Sequence, residues 1–341
     1  MKAARFYGVR KPLVIEDVAL PRLTSREALI KVKACGICHT DLHIIDEGLI
    51  KVSKVPITLG HEAAGEVVEI GESVKDVRVG DRVLIHPYFS CGKCYYCHRG
   101  QQNLCISPSA QRFGFTVDGG FAEFAKAPAQ YLLKLPDNVP FEACILADAG
   151  ATTYRAVREV GRVRLNETVL IMGVGGLGLC ALQIAKLSGA KVIAVDVVKE
   201  KLNIAKELGA DEVIDAKEQQ VTEEVMKLTN GEGVDVAFEF VARAETMKTV
   251  FDTIRRGGRI VFVGYSTDTL QIEPLRLIRD ELKVLGSRAS SIRELSEVLN
   301  LVKDGKFNLQ KIISLVIPLE NVNYGLDLLR KGLALRVIVR P

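Results

Sequence analysis

The chain of 341 residues contains no tryptophan and no apolar run long enough to cross a bilayer. A membrane-spanning helix needs roughly 18 or more consecutive apolar residues, so the sequence predicts no membrane segment. The opening stretch MKAARFYGVRKPLVIEDV lacks the apolar core and the small-residue cleavage site of a secretory signal. We therefore expect a cytoplasmic protein.

A block of basic residues is also missing. The net charge is +4, and lysine and arginine are spread along the chain. This mild excess can favour an anionic cofactor, but it is poor evidence for nucleic-acid binding, and we predict no nucleic-acid partner. A hydrophobic content of 48% with 26% charged residues is typical of a soluble globular protein. A chain of 341 residues is longer than a domain with a single hydrophobic core usually is, so two domains are expected.

Eight cysteines are present, and four of them lie close together in CGKCYYCHRGQQNLC. They are Cys91, Cys94, Cys97 and Cys105, in a C-x₂-C-x₂-C-x₇-C pattern. Four thiolates on a short loop can surround one tetrahedral zinc ion with no open position, which predicts a structural zinc site. The alternatives are an iron–sulfur cluster or chance clustering. His98 beside the loop is interpreted as a surface residue.

The hydrophobic pattern changes along the chain. The first 140 or so residues alternate short β-like runs with Gly and Pro, which predicts a barrel-like β domain. From about residue 160, short buried strands alternate with amphipathic helices, including a helix predicted over AETMKTVFDTIRRGG, which indicates a parallel sheet. The last fifty residues hold a predicted helix and a closing strand. We predict a catalytic domain of residues 1–150 and 288–341 and a nucleotide-binding domain of residues 151–287.

A glycine-rich loop follows a buried strand and opens a helix in VLIMGVGGLGLCALQIAK. Gly173 permits a tight turn, Gly175 permits approach of a pyrophosphate, and Gly178 permits close helix packing. The pattern alone is weak, but Asp196 at the end of the next strand completes a dinucleotide fingerprint. Asp196 can bond the ribose hydroxyls and would repel a 2′-phosphate, which favours NAD over NADP. A loop needed only for packing, with Asp196 as a solvated strand end, is the alternative. The predicted cofactor set also contains Gly176, Leu177 and Lys201.

Two further patches, CGICHTDLH and LGHEAAGEVVEIG, are dense in cysteine, histidine and acidic residues. Cys38 and His61 are suitable zinc ligands on separate segments. Asp41 and Glu62 beside them could hydrogen-bond those ligands and tune a metal. Taken alone each residue is weak evidence, because a buried cysteine or a single histidine is usually structural.

Together these motifs resemble those of the zinc-dependent medium-chain alcohol dehydrogenases over essentially the full chain. The resemblance is carried by the two patches, the four-cysteine loop, DGGFAEF, GVGGLG and Asp196. It implies an α/β protein with a β-rich, chaperonin-10-like catalytic domain and an inserted Rossmann domain with a doubly wound parallel sheet. It also implies two zinc ions per subunit, one catalytic and one structural, and a homotetramer or homodimer.

Residue roles follow from the same resemblance. Cys38 and His61 match two ligands of the catalytic zinc, beside which Glu62 is the expected supporting residue. Thr40 matches the hydroxyl that takes the substrate proton, and His43 matches the far end of its relay.

Two more positions match residues near the cofactor pyrophosphate. They are His39 and, less closely, Arg336 in LALRVIV. The family resemblance therefore implies transfer of a hydride between an alcohol and NAD, with zinc polarising the substrate oxygen.

The third zinc ligand is the point of departure. The family usually has a cysteine in x-L-C-A-G-x-T-x-Y, and aligning DAGATTY on Gly150 and Tyr154 places Asp148 there. A carboxylate is an ordinary zinc ligand, so we predict that Asp148 completes the catalytic set. Asp148 as a helix N-cap is a second interpretation, and Cys144 as the ligand is a third.

The predicted function is a reversible, NAD-dependent zinc alcohol dehydrogenase acting on small primary or secondary alcohols and the matching aldehydes or ketones. One rival is a polyol or sugar dehydrogenase, or a carbonyl reductase, of the same family. Another is a protein that binds the cofactor without catalysing a reaction. Such a protein would be expected to lack one of the four predicted zinc-ligand and proton-relay residues. Those residues, all present, are Cys38, Thr40, His43 and His61.

Overall fold

Short strands rich in apolar and β-branched residues begin the chain and build the first of two structural units. The computed structural model describes residues 1–341. The first unit comprises Met1–Ala151, Ser290–Gly305 and Ile312–Pro341, and the second comprises Thr152–Ala289 and Lys306–Lys311.

The N-terminal part of the first unit contains ten strands. They are β1 (Lys2–Phe6), β2 (Val14–Asp17), β3 (Glu27–Ile37), β4 (Ile57–Thr58), β5 (Glu62–Ile70), β6 (Arg82–Ile85), β7 (Tyr88–Phe89), β8 (Gln111–Arg112), β9 (Phe124–Pro128) and β10 (Leu132–Lys134). The helical segments are short. They are α1 (His39–Leu42), a π-helical segment His43–Glu47, α2 (Tyr95–His98) and 3-10 segments Gln102–Leu104, Ala129–Tyr131 and Phe141–Ala147. Helix α3 (Ala149–Tyr154) contains the boundary between the units in the chain, and a π-helical segment, Arg155–Val160, begins the rest of the second unit.

The second unit alternates strands with helices. The elements are β11 (Thr168–Met172), α4 (Gly176–Leu187), β12 (Lys191–Asp196), α5 (Lys199–Glu207), β13 (Glu212–Asp215), α6 (Val221–Leu228), β14 (Val234–Glu239), α7 (Ala244–Thr253), β15 (Ile254–Phe262), α8 (Pro274–Arg279) and β16 (Lys283–Gly286). All five strand pairings are parallel, in the order β13-β12-β11-β14-β15-β16. The strand order reverses between β11 and β14, which is where a doubly wound sheet binds a dinucleotide.

The C-terminal segment returns to the first unit. It contains α9 (Ile292–Lys303), β17 (Ile313–Pro318), a 3-10 segment Leu319–Asn321, α10 (Val322–Arg330) and β18 (Arg336–Arg340). The main sheet of this unit has the order β10-β6-β5-β3-β18-β17, with β9 also pairing β3. Strand β3 pairs with β5, β9 and β18 in antiparallel fashion, so the last strand of the chain lies beside the segment that carries Cys38. This mixed β-rich unit and the parallel sheet match the predicted α/β fold class, which is confirmed.

The structure adds features that the sequence prediction lacked. The helix predicted through the Arg-Arg-Gly-Gly segment ends at Thr253, because Ile254 already pairs with Val234 in the sheet. Helices α8 and α10 and strand β17 were not predicted. No helix combines the length and apolar character needed to cross a membrane.

A short excursion interrupts the return segment, which the sequence prediction treated as continuous from residue 288. Residues 306–311 belong to the second unit. There the largely buried amide of Gln183 accepts a hydrogen bond from the Asn308 backbone N–H at 2.7 Å and donates one to the Asn308 carbonyl at 3.3 Å. A buried side-chain amide needs such partners, and these residues supply them.

Candidate functional site

Hydrogen bonds between residues of the same short segment fix the conformation around Cys38. Strand β3 ends at Ile37, and Cys38 begins α1 with an extended backbone conformation. The Cys38 N–H donates to Asp41 Oδ2 at 2.9 Å, and the Asp41 N–H donates to the Cys38 carbonyl at 3.0 Å. Because Asp41 is fully buried, this reciprocal bonding fixes the direction of the Cys38 side chain.

His61 and Glu62 come from the start of the neighbouring strand β5. Glu62 pairs with Gly36 across the sheet. A Cβ atom at residue 36 would collide with the Glu62 carboxylate, so glycine there leaves room for a buried acid. The ring of His61 is 1% exposed and packs 4.9 Å from the ring of Phe115, centroid to centroid.

Asp148 lies between the 3-10 segment Phe141–Ala147 and helix α3. Its Oδ2 atom lies 3.5 Å from His61 Nε2 and 3.6 Å from Cys38 Sγ. The ligand atoms of four buried side chains all lie within 4.8 Å of one another. These four, called the mixed cluster below, are Cys38, His61, Glu62 and Asp148. Cys144 is not among them; its thiol is directed to the Glu142 carbonyl at 3.6 Å.

The mixed cluster is electrostatically incomplete on its own. Burial raises the pKa of Glu62 to about 7. Burial opposes protonation of His61, but the carboxylates of Asp41 and Asp148 raise its pKa well above the usual range. Neither ring nitrogen of His61 makes a hydrogen bond, and Glu62 Oε2 has no partner either. Buried polar atoms without partners are costly, and a divalent cation among a thiolate, an imidazole and carboxylates would satisfy them. The donor set therefore fits zinc.

Arg336 is the one buried cation beside this cluster. Its guanidinium is 2% exposed, donates to the Ile37 carbonyl at 3.3 Å and lies 3.4 Å from Glu62 Oε1. Burial opposes its charge, but Glu62 and Cys38 raise the pKa of Arg336. Its Nε and Nη2 groups lack hydrogen-bond partners. The predicted contact with the cofactor phosphates stays a prediction.

The predicted relay residues follow Cys38 along the same segment. Thr40 Oγ1 lies 3.5 Å from Cys38 Sγ, so a hydroxyl borders the mixed cluster. His43 begins the π-helical segment, and its Nδ1 atom lies 3.0 Å from Glu47 Oε2. This His43–Glu47 pair was missed by sequence reasoning, although its spacing of four residues on a helix could have indicated it. His39 is exposed.

The four cysteines of the loop converge as their spacing predicted. Their sulfur atoms lie within 4.8 Å of one another, with separations of 3.5 Å for Cys94–Cys97 and 3.8 Å for Cys94–Cys105. None is in a disulfide. The backbone amide of Lys93 is the main cause that lowers the pKa of Cys91 to about 6, which favours the thiolate. This arrangement, called the cysteine loop below, is suited to a structural zinc ion.

The glycine loop between β11 and α4 has the geometry expected of a nucleotide cradle. Gly173 has φ +87°, which favours glycine. A Cβ on Gly175 would meet no atom within 4 Å, so the backbone there borders open space. A Cβ on Gly178 would collide with the Gly173 carbonyl, so the helix can approach the strand only without a side chain.

Asp196 ends β12 and ties this loop together. Its Oδ2 accepts a hydrogen bond from the Val174 N–H at 2.9 Å, and its Oδ1 accepts from Val197 and Val198 at 2.8 and 3.0 Å. The Asp196 carboxylate therefore stabilises the loop itself. Its oxygen atoms still have lone pairs that could accept hydrogen bonds from ribose hydroxyls. Gly176 and Leu177 are the first residues of α4, and Lys201 lies in α5. Their contacts with a cofactor stay predictions.

Five apolar or aromatic residues of the first unit, which could be considered for the wall of a substrate pocket, have different surroundings. Ile44, Ile45 and Phe113 are buried in the main hydrophobic core of the first unit. His86 and Tyr88 line a cavity of about 260 Å³ that also contains Ser90 and Gln130. No signal in the sequence separated these two groups, because both are apolar or aromatic residues near the same strands.

Comparison with known proteins gives consistent matches. The family model for the alcohol dehydrogenase GroES-like domain matches residues 24–137, and the model for zinc-binding dehydrogenase matches residues 176–304. An alcohol dehydrogenase of Geobacillus stearothermophilus is 39% identical over 97% of this chain and 97% of its own length.

Solved structures agree. The alcohol dehydrogenase of the archaeon Aeropyrum pernix is 38% identical, with a TM-score of 0.92 and coverage of 100% of both chains. A zinc-binding dehydrogenase of Sinorhizobium meliloti, solved bound to NADP, is 32% identical, with a TM-score of 0.91 over 100% of this chain and 99% of that chain. Both likenesses extend across the whole chain.

Proposed function

The chain belongs to the zinc-dependent medium-chain alcohol dehydrogenase family, and from that premise we propose that it oxidises small primary or secondary alcohols to aldehydes or ketones, reversibly, with NAD and zinc. The observation that carries the proposal is the buried mixed cluster with a threonine hydroxyl at its border. Apolar packing could serve a purely structural role at this place, since burying ionisable groups costs free energy even where they are paired, as Glu62 is with Arg336.

We assign the catalytic zinc to Cys38, His61 and Asp148. When bound, zinc would act as a Lewis acid toward the substrate oxygen and lower the pKa of its hydroxyl. Glu62 and Asp41 would hold the ligands in place, since each carboxylate lies beside a proposed ligand and is fully buried.

The proton of the substrate hydroxyl would be taken at Thr40 Oγ1, which lies 3.5 Å from Cys38 Sγ. His43 would then release it to solvent, since its ring is partly exposed and is oriented by Glu47. Both residues act by position; the redox chemistry belongs to the nicotinamide cofactor.

The cofactor is proposed to be NAD, held by the glycine loop and Asp196. A carboxylate at the end of β12 would bond ribose hydroxyls and repel a 2′-phosphate. The NADP-bound Sinorhizobium relative shows that this fold also accepts the phosphorylated cofactor. The ratio of kcat/KM with NAD to that with NADP decides this point, and a ratio below one would contradict the assignment.

The cysteine loop is proposed to hold a second, structural zinc ion. Its four thiols must stay reduced to do so, which is the reason we place the protein in the cytoplasm.

A homo-oligomer, either a tetramer or a dimer, is also proposed. The edge strand β16 pairs only with β15. Just before it, Leu275 and Ile278 on α8 are 75% and 74% exposed. An exposed strand edge beside apolar side chains is suited to pairing with a second copy. Light scattering after gel filtration tests this, and a mass of about 37.4 kDa, that of one chain, would contradict it.

The test of the function uses protein purified without chelator or added metal. We expect two zinc ions per chain and alcohol-dependent reduction of NAD across a panel of alcohols, polyols and ketones. Faster turnover of polyols, or turnover only from ketone to alcohol, would favour the rival dehydrogenase or reductase of this family. Cofactor binding without any turnover in zinc-loaded protein would favour the non-catalytic rival.

A further inference from the structure

A buried acid at the reversal point of the parallel sheet is not used by the proposed chemistry. Glu239 is the last residue of β14, paired with Met172 of β11 on one side and Phe262 of β15 on the other. It is 1% exposed. The glycine loop follows β11 directly, so Glu239 lies at the strand end that faces this loop across the sheet reversal.

The Glu239 carboxylate holds the turn that follows it. Its Oε1 accepts hydrogen bonds from the Val241 N–H at 3.0 Å, the Ala242 N–H at 2.9 Å and the Thr246 hydroxyl at 2.8 Å. Its Oε2 accepts a second bond from the Ala242 N–H at 2.9 Å. Four hydrogen bonds to one buried carboxylate hold this turn, residues 240–243, in a single conformation.

The turn needs this support because one of its residues has an unfavourable backbone conformation. Ala242 has φ +62°, a left-handed conformation that a residue with a side chain rarely adopts. A hydrogen bond to each carboxylate oxygen from the Ala242 N–H holds it there. Without the carboxylate, the turn would relax toward an ordinary conformation.

The same turn contacts the glycine loop. A Cβ on Gly173 would lie 2.6 Å from Val241 Cγ2, so the Val241 side chain covers the first glycine of the loop. Val241 is 40% exposed and therefore presents apolar surface beside the loop. A dinucleotide at the reversal between β11 and β14 would have the glycine loop on one side and this turn on the other.

We propose that Glu239 is a positioning residue for the dinucleotide: it holds residues 240–243 as the second wall of the crevice, with Val241 against Gly173. This inference rests on the proposed function, because it requires that a nicotinamide dinucleotide binds here. Burial raises the pKa of Glu239 despite its three hydrogen-bond donors, which fits a side chain held for structure rather than for exchange with solvent.

The test measures NADH binding by fluorescence on full-length, zinc-loaded protein. Glu239→Ala should raise the Kd for NADH about tenfold, because several hydrogen bonds of the turn are lost together. Glu239→Gln keeps an acceptor oxygen and should stay within about threefold of the parent. The KM for alcohol at saturating NAD should hardly change in either variant.

Asp235 provides a matched control at the opposite end of the same strand. It also accepts a backbone N–H, from Thr168 at 2.7 Å, and pairs with Arg255. Asp235→Ala should lower the melting temperature and leave the Kd for NADH within about twofold, since its bonds lie at the end of β14 opposite to Glu239. If Glu239→Ala fails to fold, Thr246→Val removes one of the four bonds and should weaken NADH binding about threefold.

The outcomes are distinct. Parental protein that binds neither NADH nor NADPH would overturn the proposed function and this inference together. Parental protein that binds NADH while folded Glu239→Ala binds it equally well would overturn only the role of Glu239. Equal weakening by Asp235→Ala would also overturn it, since the effect would then report general destabilisation.

Discussion

The cysteine loop and the mixed cluster each bring four metal-binding side chains within 4.8 Å of one another, but they are assembled in opposite ways. The cysteine loop uses one kind of ligand from one short segment, and three of its four cysteines are only half-buried. The mixed cluster uses three kinds of ligand from three segments, and all four residues are buried. A local set of identical thiolates closes around a metal by itself, whereas the mixed set depends on the packing of β3, β5 and α3.

That difference has a chemical consequence. Four thiolates would leave a zinc ion no open position, so the proposed role of the cysteine loop is structural. In the mixed cluster, Glu62 Oε2 and both ring nitrogens of His61 lack hydrogen-bond partners, and a threonine hydroxyl borders the cluster. This arrangement suits a site that must also admit a substrate. The two sites should therefore respond differently to removal of one ligand: the first in stability and the second in turnover.

The largest expected effect is on turnover. His61→Ala and Cys38→Ser each remove a proposed ligand of the mixed cluster, and kcat/KM should fall about a thousandfold or more, beyond the 10–100-fold cost of losing a supporting residue. Zinc content should fall from two ions to one per chain, and NADH binding by fluorescence should persist. Near-normal turnover in either variant would show that the mixed cluster is not the catalytic metal site.

The corresponding change in the cysteine loop should act on stability. Cys94→Ser should lower the free energy of unfolding by roughly 3 to 5 kcal/mol, because binding of a structural metal contributes directly to folding. At low temperature, the molecules that remain folded should keep kcat within about threefold of the parent. If kcat is lost in proportion to zinc while denaturant unfolding is unchanged, the division of roles between the two sites is wrong.

Asp148 allows a sharper test, because its two interpretations predict different results for one substitution. Asparagine caps helices as well as aspartate does, so Asp148→Asn should be neutral if the residue only caps α3. If the carboxylate binds zinc, loss of its charge should weaken zinc affinity about 10- to 100-fold, whereas Asp148→Cys should retain zinc because thiolate is an ordinary ligand. Zinc retention during titration with a chelator measures the difference.

The contrast between the sites also explains what could be predicted from the sequence. The cysteine loop and the glycine loop are local, and each sits within a pattern of strands and helices whose spacing fixes its geometry. Asp148 was placed beside Cys38 by family resemblance, since the two are 110 positions apart and only tertiary packing brings them to 3.6 Å.

Other features depended on contacts with no local signal. The ion pair of Arg336 with Glu62 joins the last strand to β5, and the bonding of residues 306–311 to Gln183 bridges over a hundred positions. The end of α7 at Thr253 is set by pairing of Ile254 with β14, a sheet contact that overrides helical periodicity.

The smallest expected effect concerns His86, a buried histidine that belongs to neither cluster. His86 is 1% exposed, and burial lowers its pKa from 6.5 to about 4, whereas His98 in the cysteine loop is exposed. The folded protein keeps His86 neutral, while the unfolded chain binds a proton below pH 6.5. The stability that His86 contributes is therefore present above that pH and is lost as the pH falls toward 4.

Between pH 7 and pH 5 this linkage should cost about 2 kcal/mol of unfolding free energy in the parental protein. His86→Gln cannot titrate at this position, so its stability should fall by about 2 kcal/mol less than that of the parent over the same interval. Guanidinium titrations at the two pH values measure both. Parallel pH dependence in the two proteins would contradict a buried, neutral His86 and would mean that this side chain exchanges its proton with solvent.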